Sequence, residues 1–286
     1  MINKRVLLFL IAIEIVIILG VVIYFPKRII NHKVDYSPLP IIIDVSNEKP
    51  LLEWFCYSDS DELWDAVVLT FDDGPYRRVN ANEIIDHTGI ILDILKNEDI
   101  KATFFILGFQ LDTSNVKMGE TYQKYCEWLK RTFNEGHTVA VHDRNHIPYF
   151  KQTKKELEES LDYTRRRIKE ITGQDVSFYV RSPGGTISSP VQQYLADNNY
   201  KHVFWHINPE SEQHLTAQQI LNNLIEDINK GNRGIILMHD RTASEYLQKL
   251  IRFLKVNRIR IVSLEEWDQR YGLPATPYTK QLIKFD

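Results

Sequence analysis

Seven short apolar runs separated by amphipathic helical patterns constrain this chain more than any other feature. The runs are Ala66–Phe71, Ala102–Leu107, Thr138–His142, Phe178–Arg181, His202–Trp205, Ile235–His239 and Arg260–Val262. Helical patterns lie between them, near 83–97, 119–135, 153–172, 188–199, 216–230 and 243–256. Thr153 with Glu156 three residues on has the form of a capping box, and Gly173 suits the stop of the same helix. Short apolar strands alternating with helices predict parallel strands wrapped by helices, as an open sheet or a barrel. A chain of 286 residues with 43% hydrophobic content can bury such a core. In these folds the chemistry gathers at the C-terminal ends of the strands, so polar residues should cluster there.

They do. The first strand runs into Thr70-Phe71-Asp72-Asp73-Gly74-Pro75, the third ends in His142 with His146 four residues on, the fourth in Arg181-Ser182-Pro183-Gly184-Gly185, and the sixth in His239-Asp240. Strand alternation would send Asp72 and Asp73 to opposite faces, but a bend at the strand's end lets both face one mouth. Two carboxylates that close repel unless a cation or a proton intervenes, which suggests one binding a metal and the other handling protons. His142 and His146 would share a side across one helical turn. Two histidines and a carboxylate with open positions form a common hydrolytic metal site. His137, following Gly136, reads as a core or supporting histidine and not a ligand. Trp205, Tyr149, Tyr76 and Trp267 are sugar-stacking candidates with a core reading ahead of that one.

Ahead of this region, Val6–Phe25 is an almost wholly apolar stretch of ~20 residues, long enough to cross a bilayer as a helix. Glu14 costs it about 2.5–3.5 kcal/mol on insertion scales, which the surrounding Ile, Leu, Val and Phe outweigh. Nothing resembling an A-x-A cleavage site follows, so the stretch reads as an uncleaved signal anchor over 1–30, with a cleaved signal peptide as second reading. Lys4-Arg5 and Lys27-Arg28 flank it evenly and leave the sidedness open. Residues 31–64 form a Pro-punctuated connector ending in acids, 65–270 the α/β domain and 271–286 a tail. A formal net charge of −3 gives no footprint for nucleic acid. Cys56 and Cys126 make no C-x-x-C; they are either one disulfide outside the cytoplasm or two separate thiols.

The ordered set TFDDGP (70–75), H-x-x-x-H (142–146), R-x-P-G-G (181–185) and Leu237-Met238-His239 resembles the polysaccharide deacetylases of the NodB-homology, carbohydrate esterase family 4 type. The likeness covers roughly 66–268. It implies a distorted (β/α) barrel of about seven parallel strands and metal-dependent removal of acetyl groups from sugars. By the resemblance, Asp73, His142 and His146 hold one divalent ion, zinc by default with cobalt, nickel or manganese as alternatives. Asp72 is the general base, Arg181 orients it, a backbone N–H near Gly184 is an oxyanion donor, and His239 protonates the leaving amine.

Three departures stand out. Asp143 replaces a Ser or Thr that steadies the ligand loop, and Gly184 replaces an aromatic wall. The family's D-x-x-D-W is degraded to Asn208-Pro209-Glu210-Ser211-Glu212, so His239 lacks its acid partner unless Glu210 takes the role. The resemblance implies a membrane-tethered, extracytoplasmic N-acetylhexosamine deacetylase acting on an envelope or exported polysaccharide. The alternatives are a deacylase of another C–N amide, such as a formamido-sugar lipid, and a non-catalytic glycan-binding protein with a decayed site.

Overall fold

The alternation in the sequence becomes a ring of parallel strands in the computed structural model, which describes residues 65–112, 114, 119–212 and 214–274. The strands are β1 (Ala66–Gly74), β4 (Thr103–Leu107), β5 (Thr138–Asp143), β6 (Tyr179–Val180), β7 (Lys201–His202), β8 (Gly234–His239) and β9 (Arg260–Ile261); β2 (Arg78–Val79) and β3 (Ile84–Ile85) form a separate antiparallel ribbon. The seven-stranded sheet runs β7-β6-β5-β4-β1-β8, with β9 paired to the start of β1. Beyond β7 the chain donates Val203 N–H to the Val180 carbonyl, and Ile207 then bridges to Ile236 of β8. The segment from β7 to Ile207 thus pairs with β6 at one end and β8 at the other and closes the ring, as the barrel expectation requires.

Alternation sorts the strand residues into two faces. Ala66, Val68, Phe105, Ala140, Tyr179, Val203, Trp205, Ile235 and Leu237 pack into one buried cluster, which Leu264 and Trp267 join. These last two belong to the helix Leu264–Tyr271, which the sequence patterns missed. That helix sits at the strand starts: Thr138 donates to Glu265, and the Tyr179 hydroxyl donates to Asp268. The opposite residues, such as Val67, Leu69, Phe104 and Val139, are equally buried. Burial on both faces explains why the strands read as continuous apolar runs.

The capping box at Thr153 is present, and the helix Lys154–Thr172 ends on Gly173 in the left-handed region. It buries Leu157, Leu161, Thr164 and Ile168, the spacing of one helical face. The helix expected from 83 starts only at His87, because Ile84 and Ile85 are spent in the ribbon. No helix among the described residues is long and apolar enough to cross a membrane. The Val6–Phe25 stretch, the connector and Cys56 lie outside the described residues. Cys126 is a free thiol.

Candidate active site

Four interior columns of side chains each end in a residue singled out by the sequence. On β1 the column Ala66, Val68, Thr70 leads to Asp72; on β5 Ala140 leads to His142; beyond β6 Tyr179 leads to Arg181; on β8 Ile235 and Leu237 lead to His239. Period-two alternation therefore carries four functional side chains into one mouth without any special backbone. Asp72 is registered directly beside His239 across β1 and β8. Asp73 is out of phase. It joins the mouth because it takes a left-handed backbone (φ 68°), at a register shift between β1 and β4.

Arg181 is fully buried. Its Nη1 donates to Asp72 Oδ1 at 2.7 Å and to Thr70 Oγ1 at 2.8 Å, and its Nε to the Val203 carbonyl at 3.0 Å. The guanidinium lies 4.1 Å from the Phe105 ring centroid. Asp72 is thus held in one orientation by a cation that is itself fixed on three sides.

Asp73, His142 and His146 each offer one ligand atom, and these atoms lie within 4.8 Å of one another. His142 Nε2 is 3.5 Å and His146 Nε2 3.2 Å from Asp73 Oδ1, an oxygen that is buried and receives no well-aligned hydrogen bond. The His142 Nδ1–H donates to the Arg181 carbonyl at 2.8 Å, which leaves Nε2 with its lone pair toward Asp73. Burial lowers the pKa of His142 despite the two aspartates beside it, so the ring is neutral. Burial would raise the Asp73 carboxyl, but the three imidazoles around it win and hold it well below the usual range. The Asp73 contact raises the pKa of His146, so an ion binding there displaces a proton from that ring. The low Asp73 carboxyl and the lowered His142 already favour the forms a divalent ion requires, and the three donors fit one.

His142 and His146 do not share a helical turn. His142 ends a strand, whereas His146 sits in a loop at φ 60°. Asp143 builds that loop: its buried carboxylate accepts from the backbone N–H of Asn145 (2.8 Å) and Ile147 (2.9 Å), from Gln152 (3.0 Å) and from Ser160 Oγ (2.5 Å). The departure from Ser or Thr thus supplies four acceptor contacts and brackets His146 on both sides.

His239 also has its carboxylate. Glu210 Oε2 lies 3.1 Å from His239 Nδ1, and Glu210 Oε1 accepts from Thr242 Oγ1 at 2.9 Å. Burial would lower the pKa of His239, but the Glu210 contact raises it above its ordinary value, with Arg241 opposing. Of the two outcomes left open for the degraded fourth pattern, the structure shows Glu210 in the place of the acid partner. A loop places Glu210 there without the family spacing. A cavity of about 430 Å³ opens beside this pair, lined by Glu210, His239, Arg241, Leu215 and Ile220.

Gly184 is exposed at φ 69°, and a Cβ there would meet nothing within 4 Å, so the mouth is open on that side. Gly185 is different: a Cβ would run into the Trp205 ring. Trp205, Tyr149 and Trp267 are buried core. His137 is buried, accepting from Ala102 N–H, as expected for a supporting residue. The sequence reading gave no role to Arg241, whose Nη1 donates to Asp73 Oδ2 at 2.8 Å, or to Thr242. Their place just past the β8 strand end was the available signal.

Residues 61–203 match the family model described as Polysaccharide deacetylase. A peptidoglycan-N-acetylglucosamine deacetylase of Bacillus cereus is 29% identical over 204 residues, 69% of this chain and 66% of that protein. The structure of peptidoglycan deacetylase PdaC from Bacillus subtilis is similar at TM-score 0.58 and 26% identity, over 73% of this chain and 92% of that one. A CE4 family pseudoenzyme from Bacillus anthracis shares the fold at TM-score 0.56 and 22% identity, over 71% of this chain and 65% of that one.

Proposed function

The chain belongs to the polysaccharide deacetylase family, and from that premise we propose that it removes N-acetyl groups from N-acetylhexosamine units of a cell-envelope or exported polysaccharide. Since a pseudoenzyme shares the fold, the reading stands on the residues and not on the architecture. The observation that carries it is the convergence of Asp73, His142 and His146 on one point, with Asp72 and His239 beside them.

In this reading Asp73, His142 and His146 hold a divalent ion, zinc by preference. When bound, such an ion supplies Lewis acidity toward the acetyl carbonyl and lowers the pKa of its water toward about 7. Asp72, oriented by Arg181, takes the proton from the attacking water. His239, kept protonated by Glu210, gives a proton to the departing amine, which leaves poorly as an anion. A backbone N–H at the Gly184 turn donates to the developing oxyanion. The apolar stretch at 6–25 supports a membrane tether, with the domain on the extracytoplasmic side where such polysaccharides lie.

The test is acetate release from N-acetylglucosamine oligomers by the full chain, with zinc or cobalt added. Release that a chelator abolishes and added ion restores is the expected result; ion-loaded protein that frees no acetate from any N-acetylated glycan sinks the proposal. The open side at Gly184 favours one second reading, hydrolysis of another amide such as a formamido-sugar lipid, which a screen of acylated amines distinguishes. A further prediction concerns the loop under His146. Asp143→Ala should weaken zinc binding roughly 10-fold, the low end for a residue that orients a ligand. Competition against a fluorescent chelator measures it, and an unchanged affinity removes that role from Asp143.

A further inference from the structure

We propose that Arg241 is a positioning residue for the metal site, presenting one oxygen of Asp73 to the two imidazoles and tying that ligand to Glu210. This rests on the metal-site reading above. The Asp73 carboxylate is divided between two environments. Its Oδ1 faces His142 and His146, while its Oδ2 accepts from Arg241 Nη1 at 2.8 Å. Arg241 Nη2 lies 3.7 Å from Glu210 Oε2, the oxygen that also meets His239. One guanidinium therefore spans the ligand carboxylate on β1 and the carboxylate that partners the acid. A planar fork suits this task, because it addresses two carboxylates from fixed directions.

Asp73 has particular need of such a partner. It occupies a left-handed backbone at the end of a strand, and His239 stands 3.9 Å from the same Oδ2. Without Arg241 the carboxylate is free to swing Oδ2 toward His239 and carry Oδ1 off the imidazole pair. Against this, a positive charge beside an ion site repels the ion. The two effects have opposite signs, so the direction of change in affinity decides between them.

The experiment measures zinc affinity of the full chain by competition with a chelator, for wild type, Arg241→Met and Arg241→Lys. Arg241→Met should bind zinc about 10-fold more weakly, as expected when a ligand loses its orienting partner. Arg241→Lys, which retains one donor to Asp73, should recover most of that loss. Its kcat should stay reduced, since a single ammonium does not also reach Glu210. Unchanged or tighter binding in Arg241→Met overturns the proposal, because repulsion then outweighs positioning; so does a lysine variant no better than the methionine one. Melting of the metal-free proteins checks the fold. Arg241 is 43% exposed, so little change is expected, and a large drop confined to the variants would assign Arg241 to folding and overturn the proposal. Wild type that binds no zinc removes the metal-site reading itself, and this inference with it, before any variant is compared.

Discussion

Arg181→Met is expected to lose both stability and activity, and Asp72→Asn on the same background is expected to restore only the first. The single variant leaves the Asp72 carboxylate, 2% exposed, without the cation on its Oδ1. Removing one partner of a buried pair costs about 3–5 kcal/mol, because a charge remains where water cannot reach it. Thr70 also loses its donor, and the Phe105 ring loses the guanidinium stacked over it. Methionine fills similar space without a charge. In urea the midpoint should fall while the slope m stays constant. Hydrolysis should fall by roughly 10²–10⁴, the contribution of a positioned general base. In the double variant no charge is stranded, so most of the lost stability should return while activity stays low. A double variant as unstable as the single one would show that Arg181 acts through its own packing and not through Asp72.

Glu210→Gln should move the basic limb of the kcat profile to lower pH. His239 must be protonated to serve as acid, and Glu210 raises its pKa against burial and against Arg241. Glutamine keeps a hydrogen-bond acceptor but removes the charge. Less imidazolium then remains at neutral pH, with a loss of about 10²-fold on the alkaline side, the low end for general acid catalysis. The sign for stability follows from linkage. A folded-state pKa above the ordinary 6.5 of histidine means the pair stabilises the fold fully below about pH 6.5. That contribution disappears as pH rises through the folded value. Glu210 works from the other side: burial would raise it, but the His239 contact lowers it. Its stabilisation therefore holds above the ordinary glutamate range and is lost as pH falls through the lowered value. Rate profiles and melting curves across pH 5 to about 9 check both. An unmoved basic limb would mean that Glu210 does not act on His239.

What could be read from the sequence was whatever follows from periodicity. Period two along β1, β5 and β8 was enough to bring Asp72, His142 and His239 to one mouth, and a capping box was enough to start the helix at Lys154. Features that depend on single backbone angles were not legible. Asp73 enters the mouth through a positive φ, and His146 through another, where spacing alone suggested a helical turn. Asp143 stands out in the sequence only as a departure from Ser or Thr, whereas carboxylate geometry lets it collect four donors where a hydroxyl has fewer acceptor sites. Arg241 carried no signal beyond its place just past the β8 strand end. Its role depends on how far a long side chain reaches across the mouth, and sequence spacing does not encode that.

The seam at Ile207 explains why Glu210 escapes a fixed pattern. Where the chain rejoins β8 is dictated by hydrogen bonds from His206, Ile207 and Leu237, and the residues just beyond emerge beside His239 whatever their order. An acid one place away from the pattern therefore still meets His239, and the spelling of 208–212 does not by itself decide whether that histidine has a carboxylate partner.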